Sequence, residues 1–182
     1  MAKQYLGDPI SRSRLVSLLQ DDGFTREQAE YGADACRVNW NKQAVLKAKD
    51  HLRYPPVSRL RLVSWLQREG FTREQAEYGA DASRVNWYTQ AVIAANQRLR
   101  SPHLWSRLVL SVMLTAMEEF TAEEADYAVD HCNANWREMA VQMAIQTWKQ
   151  RPYYKEELIG ELEKHRFTRE EAEYGVTKAG MK

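Results

Sequence analysis

The sequence has few of the residues that interrupt regular structure, and no long apolar run. Only 8 glycines and 5 prolines occur in 182 residues, which excludes large disordered tracts rich in these residues. No run reaches the ~20 apolar residues that span a bilayer. The most apolar stretch, 108–114, is short and contains Ser111. We therefore expect no membrane insertion.

The N-terminal residues lack the features of an export signal. The first eight residues contain no apolar signal-peptide core and no cysteine that could carry a lipid. We therefore expect either that the chain as given is not exported or that it is the soluble part of an exported protein. The sequence leaves the compartment and the oligomeric state open.

Neither sign of charge dominates the whole chain. The 26 basic and 25 acidic side chains give a net charge of +1, and 44% of residues are hydrophobic, as in an ordinary globular protein. The charge varies by segment, from +2 over 1–54 and +3 over 55–101 to −4 over 102–150 and zero over 151–182. Nucleic-acid affinity needs a basic face, so this distribution argues against a general DNA binder.

What the sequence does contain is a long internal repeat. Residues 23–35 recur unchanged at 70–82, and looser copies begin at Phe120 and Phe167. The repeated phenylalanines are 47, 49 and 47 residues apart, and prolines recur with a similar period at positions 9, 56, 102 and 152. Self-similarity at such a period is typical of arrays in which each unit packs on its neighbour.

Each repeat predicts three helices. Apolar residues at helical spacing predict a first helix from about Ser11 to Asp22, closed by Gly23. A capping box then begins the second helix, because Thr25 is followed by Gln28 three positions later. The same signal recurs in the other repeats at Thr72, Thr121 and Thr168.

The third helix is predicted to start at Asn39, a favourable N-cap, and to carry Trp40, Ala44 and Ala48 every four residues. The fold is therefore predicted to be all-α, a tandem array of small three-helix, helix-turn-helix-like repeats without one central core. The expected boundaries are 1–8 (a tail that resembles the end of a preceding repeat), 9–54 (repeat 1), 55–101 (repeat 2), 102–150 (repeat 3) and 151–182 (partial repeat 4).

Aromatic residues that recur once per repeat are expected to form the structural core, because burying one tryptophan contributes roughly 2–3 kcal/mol. These residues are Phe24, Trp40, Phe71, Trp87, Phe120, Trp136 and Phe167.

The patterns that enzymes and metal sites need are missing. Cys36 and Cys132 share one repeat position, and no CxxC or HxxxH spacing accompanies them. The four histidines fall at unrelated repeat positions, and neither a phosphate-binding glycine loop nor a nucleophile elbow is present. We expect a protein that is not an enzyme, with no catalytic residue, bound metal or cofactor.

The recurring motif resembles that of a known family. Gly-Phe-Thr-x-Glu-x-Ala-x-Tyr at 23–31, followed by Asn-Trp-x-x-x-Ala-Val at 39–45, is similar to the Ltp-type repeat of host cell surface-exposed lipoproteins. This repeat is found in Gram-positive bacteria and their phages, and the resemblance covers nearly the whole chain. It implies helix-turn-helix-like modules that bind protein rather than DNA. For the phage member it implies blocking of DNA injection by a second phage.

These features favour a protein-binding function related to a phage or to the cell envelope. The expected role is either similar to superinfection exclusion or that of a structural component of an assembly. Repeats 1 and 2 match at 17 of 18 positions from Gly23 to Trp40, yet the outer face of their third helices differs. This pattern is expected of a scaffold with different contacts in each repeat, and neutral drift on a solvated face explains it equally well. The candidate partner-binding residues are Lys42, Lys47, Tyr88, Arg37 and Arg84.

The alternative hypothesis is DNA binding through the basic faces of repeats 1 and 2. These repeats carry arginines at equivalent positions, namely Arg12, Arg14 and Arg37 in the first and Arg59, Arg61 and Arg84 in the second.

Overall fold

The structure, a computed structural model, describes residues 2–54, 56–151 and 153–180. The proline expected near the start of the fourth repeat, Pro152, lies outside these residues. Of the described residues 71% are helical and none lies in a strand, which confirms the all-α fold. A short 3-10 helix, Ala2–Gly7, precedes eleven α-helices in this part of the chain: α1 (Arg12–Asp21), α2 (Arg26–Ala35), α3 (Trp40–His51), α4 (Arg59–Arg68), α5 (Arg73–Ala82), α6 (Trp87–Leu99), α7 (Arg107–Ala116), α8 (Ala122–His131), α9 (Trp136–Gln150), α10 (Lys155–Lys164) and α11 (Arg169–Lys178).

Capping residues set the starts of these helices. At α2 the backbone N–H of Gln28 donates to the Thr25 hydroxyl at 3.3 Å, and the Thr25 N–H donates to the Gln28 side chain at 3.0 Å. The same reciprocal pair begins α5, α8 and α11. Each pair satisfies two backbone amides that have no partner inside the helix, so the predicted start signal is confirmed in all four repeats.

The helices pack in four groups that are offset from the expected repeat boundaries. Each group is one cluster of buried side chains. In three groups the cluster joins a long helix to the two short helices that follow it, and in the first group the 3-10 helix Ala2–Gly7 stands in the place of the long helix. We call these groups modules: module 1 is Ala2–Gly7 with α1 and α2, module 2 is α3–α5, module 3 is α6–α8 and module 4 is α9–α11. A sequence period gives the length of a repeat but not the position at which a folded unit begins. The boundaries expected after residues 54, 101 and 150 therefore separate each long helix from the helices on which it packs.

Small side chains bring the long helix close to the third helix of its module. In module 2 the fully buried Ala44 and Ala48 of α3 share a cluster with Ala76 and Ala80 of α5. A Cβ atom at Gly79 would lie 3.0 Å from the backbone of Ala44. The small residues of α5 therefore face α3, the long helix that precedes α5 in its module.

The tryptophans at the starts of the long helices pack backwards. Trp40 is the first residue of α3 but packs against the cluster of module 1, while Ala44 of the same helix belongs to module 2. Trp87 packs against the module 2 cluster and Trp136 against the module 3 cluster. All three tryptophans are half-buried. Of the other expected core residues, Phe71, Phe120 and Phe167 are buried and Phe24 is half-buried.

The chain divides into two compact units, Met1–Trp87 and Tyr88–Lys182. Unit 1 contains modules 1 and 2 together with Trp87, the first residue of α6, and unit 2 contains the rest of module 3 and module 4. Unit 1 carries 14 basic and 11 acidic side chains, a net charge of +3, whereas unit 2 carries 12 and 14, a net charge of −2.

Candidate functional site

The second short helix of every module carries one tyrosine at the same position. Tyr31, Tyr78, Tyr127 and Tyr174 expose 77%, 51%, 40% and 36% of their surface. A large aromatic side chain that recurs at an exposed position is not explained by the packing of the modules. Tyrosine is enriched among the residues that dominate protein interfaces, so this position is the strongest candidate for a binding site.

The surroundings of this tyrosine differ from module to module. In module 3 the ring of Tyr88, from α6, meets the Tyr127 ring edge-on, with centroids 5.1 Å apart and planes at 67°. The His131 ring stacks on the Tyr127 ring at 3.8 Å and 13°, and His131 Nδ1 lies 2.8 Å from the Tyr127 carbonyl oxygen. Module 3 therefore presents three adjoining aromatic rings at its surface.

Module 4 places cations at the two equivalent positions. Arg137 takes the place of Tyr88, and its guanidinium carbon lies 5.4 Å from the centroid of the Tyr174 ring. Lys178 takes the place of His131, with its Nζ 5.9 Å from the same centroid. Both distances are within the range of cation–π attraction. The equivalent positions in module 2 hold Asn41 and Ala82.

A glutamate accompanies the tyrosine in every module. It lies four residues earlier on the same helix, a spacing that places both side chains on one face. We call each pair a Glu–Tyr column: Glu27–Tyr31, Glu74–Tyr78, Glu123–Tyr127 and Glu170–Tyr174. All eight side chains are exposed. In module 4 the column is occupied from within, because Arg137 forms an ion pair with Glu170 while it lies over Tyr174.

The five candidate residues from the sequence lie on different elements. Lys42 is exposed on α3, and Arg37 and Arg84 are exposed in the turns before α3 and α6, with φ of 52° and 60°. Lys47 has internal contacts, since its Nζ lies 3.1 Å from a Glu69 carboxylate oxygen and 5.7 Å from the Trp65 ring centroid. In the described part of the chain, Tyr88 alone of the five contacts a repeated tyrosine.

Sequence reasoning overlooked the tyrosines themselves, although a signal was present. The buried face of α2 is formed by Ala29 and Ala33. Tyr31 lies two positions after Ala29, and two helical steps of about 100° each carry it off that face. An aromatic residue kept in all four copies at a position facing solvent indicates a role outside the core.

Arginines that would form a basic face are neutralised by neighbouring helices. The Arg12 guanidinium donates to both carboxylate oxygens of Asp34 at 2.7 and 2.8 Å, and Arg59 donates to Asp81 at 2.6 and 2.8 Å. These hydrogen bonds lower the pKa of Asp34 and of Asp81. Each ion pair ties the first short helix of its module to the second, which reduces the positive charge available to a phosphate backbone.

The remaining chemistry is sparse. Cys36 and Cys132 are free thiols, and burial raises the pKa of Cys132, which disfavours a reactive thiolate. Among the described residues, no three His, Cys, Asp or Glu side chains form a group that could hold a metal ion. No helix within residues 2–54, 56–151 and 153–180 has the length and apolar character required to cross a bilayer.

Comparison with known proteins gives one family. The family model described as host cell surface-exposed lipoprotein (Ltp) matches residues 39–82 and 86–132, together half of the chain. The chain belongs to the Ltp family. The two Ltp matches begin at Asn39 and Asn86, next to the starts of α3 and α6, and therefore coincide with modules 2 and 3. No curated protein and no solved structure matches this Ltp-family chain.

Proposed function

We propose that this Ltp-family protein is a non-enzymatic array that binds other proteins through the tyrosine-centred faces of its modules. The observation that carries the proposal is the exposed tyrosine repeated in all four modules, with neighbours that change from module to module. A constant scaffold that presents variable side chains around one aromatic anchor is suited to recognising several sites on a partner.

The setting of this function is proposed to be the cell envelope or a phage. The printed description of the matched family names host cell surface-exposed lipoproteins, and this supports an envelope setting for the partner. A role similar to superinfection exclusion and a structural role in an assembly both use a protein-binding array.

The experiment is capture of partners from host and phage lysates with two matched variants. The first replaces the four column tyrosines with alanine, and the second replaces the exposed Tyr54 and Tyr154, which lie outside the columns. The wild type and the second variant should recover the same protein partner, and the first variant should lose it. Recovery of no partner by the wild type, or equal recovery by the first variant, would overturn the proposal.

DNA binding, the alternative, is disfavoured because Arg12 and Arg59 pair with Asp34 and Asp81. A gel shift with the full chain tests it. Binding that neutralises six phosphates should weaken by about 10³-fold or more between 50 and 200 mM salt. The absence of any shift at low salt would leave protein binding as the sole proposal.

A further inference from the structure

We infer that the Glu123–Tyr127 column of module 3 receives an arginine side chain from the protein partner. This inference rests on the proposed function and specifies its chemistry at one module. Tyr88 and His131 complete the site, since the His131 ring stacks on the Tyr127 ring and the Tyr88 ring meets it edge-on.

Module 4 contains the proposed contact within a single chain. Arg137 pairs with the Glu170 carboxylate and lies over the Tyr174 ring, so that one guanidinium satisfies both members of the column. Arginine is suited to this double contact because its planar group stacks on aromatic rings and also donates to carboxylates. The column is therefore an arginine-binding arrangement by its own geometry.

Module 3 has the same column but lacks an arginine to occupy it. Tyr88 stands where module 4 has Arg137, and His131 stands where it has Lys178. The first residue of α8 is Ala122, whereas α2, α5 and α11 begin with arginine. Helix α8 therefore contains four carboxylates and no lysine or arginine.

Three of the four α8 carboxylates have structural roles. Glu124 completes the capping box with Thr121, Asp126 accepts a hydrogen bond from the Ser111 hydroxyl at 2.9 Å, and Asp130 pairs with Arg107. Glu123 is exposed, and no ion pair joins it to a described residue of the chain. A negative group beside three aromatic rings fits a cationic side chain, and the net charge of −2 on unit 2 favours its approach.

Modules 1 and 2 are less suited to this contact. Arg26 pairs with Glu30 at 2.8 Å, and Arg73 pairs with Glu77 at the same distance, which places a cation next to Glu27 and to Glu74. Module 2 also lacks the flanking rings of module 3, since Asn41 and Ala82 stand where module 3 has Tyr88 and His131.

The test is an NMR titration of the full chain with a synthetic peptide in which arginines alternate with glycines. The control peptide replaces arginine with citrulline, which has nearly the same shape and no charge. A double variant, Tyr88→Arg with His131→Lys, copies module 4 and supplies the column with internal cations. Its matched control, Asn41→Arg with Ala82→Lys, makes the same changes at the equivalent positions of module 2.

The arginine peptide should shift the amide signals of Glu123, Tyr127 and His131 in the wild type and in the module 2 control. Affinity should fall about 2- to 5-fold with citrulline, the factor that corresponds to an exposed cation–π contact. Binding at module 3 should be lost in the Tyr88→Arg, His131→Lys variant. Equal affinity for the citrulline peptide, unchanged binding by that variant, or shifts confined to other modules would overturn the inference.

The outcome also separates this inference from the proposed function. If the peptide fails at module 3 while partner capture still depends on the column tyrosines, the arginine assignment alone is wrong. If tyrosine-dependent capture also fails, the proposed function is wrong as well.

Discussion

The two compact units connect their modules with different chemistry. In unit 1 the Ser11 hydroxyl donates to the Glu69 carbonyl and the Ser13 hydroxyl donates to the Gly70 carbonyl, each at 2.7 Å. These bonds fasten the start of α1 to the turn between α4 and α5. Gly70 makes room for them, because a Cβ there would lie 2.1 Å from Ser13 Oγ.

Unit 2 has other residues at the equivalent positions. Leu108 replaces Ser13, and Arg166 replaces Gly70. Leu108 is 52% exposed and borders a cleft of about 380 Å³ that also includes Val129 and Phe167. The two units therefore have equivalent module cores but differ where their modules meet. Unit 1 has hydrogen bonds from serine hydroxyls at this place, and unit 2 has a cleft bordered by apolar side chains.

The largest effects should be the same in both units, because the cores are equivalent. Leu66 in module 2 and Leu114 in module 3 occupy the same repeat position, and both are fully buried. Leu66→Ala and Leu114→Ala should each lower the free energy of unfolding by about 2–5 kcal/mol. Urea denaturation followed by circular dichroism measures this.

The control for the core substitutions is Leu60→Ala, since Leu60 is 55% exposed. A surface change of this kind should alter stability by no more than ~0.5 kcal/mol. If Leu114→Ala were as mild as this control, the two units would not share one core design.

A second test concerns the close approach of helices in each unit. A Cβ at Gly175 would lie 2.7 Å from the backbone of Ala140, which cannot move away without shifting α9. Gly175→Ala should therefore destabilise unit 2 by about 1–3 kcal/mol through overpacking. Thermal denaturation of the variant, compared with the wild type, measures this loss.

The matched control is Gly32→Ala at the same position of module 1. There the nearest atom to an added Cβ is a leucine methyl carbon at 3.4 Å, an ordinary contact. This change should stabilise the protein by about 0.5–1 kcal/mol, because alanine is the better helix former. A loss of stability in Gly32→Ala would show that module 1 is packed as tightly as module 4.

The sequence predicted local structure better than assembly. Thr25 and Gln28 lie three residues apart, so their capping interaction can be predicted from the local sequence alone, and the structure confirms it. Trp40 and Ala44 belong to different clusters because different helices contact the two ends of α3. The four-residue spacing of the two side chains shows that they share one face of α3, but it does not show which neighbouring helix each of them contacts. The residue at which each folded module begins is therefore determined by contacts between helices and not by the local sequence.

The candidate site was predictable only in part. Tyr88 is one of the five candidate residues from the sequence, and it does join an aromatic cluster. Tyr127, the centre of that cluster, is not among the five. Variation identifies the residues that distinguish modules, whereas the exposure that reveals a shared anchor requires the structure.

A third test breaks the polar contact of unit 1. Gly70 and Gly23 occupy the same turn position, with φ of 90° and 94°. Alanine in this left-handed region costs about 1–2 kcal/mol at either site. Gly70→Ala should cost about 1 kcal/mol more than Gly23→Ala, because its Cβ displaces the Ser13 hydroxyl and its hydrogen bond.

Thermal melts of both variants, of Ser13→Ala alone and of the Ser13→Ala, Gly70→Ala double variant measure this difference. Removing the Ser13 hydroxyl relieves the closer of two clashes and leaves the Ser11 hydroxyl oxygen 2.7 Å from the added Cβ, so the extra cost of Gly70→Ala should shrink in the Ser13→Ala background. An identical cost in both backgrounds would mean that the serine contact does not stabilise the junction.

The smallest expected effect is the acid sensitivity of the ion pair between α4 and α5. The hydrogen bonds from Arg59 lower the pKa of Asp81 in the folded state, so its stabilising contribution is full above the unfolded pKa of about 4 and is lost as the pH falls. The Arg59 and Asp81 side chains are 40% and 58% exposed, and solvent screening therefore limits the contribution to a few tenths of a kcal/mol, up to about 1. Asp81→Asn should be less stable than the wild type by this amount at pH 7, and the difference between the two melting temperatures should narrow as the pH falls below about 4. In 1 M salt at pH 7 the difference should shrink, because these exposed charges are screened. A difference that does not narrow as the pH falls below about 4 would assign the effect of Asp81→Asn to packing at the C-terminal end of α5 and not to the charge.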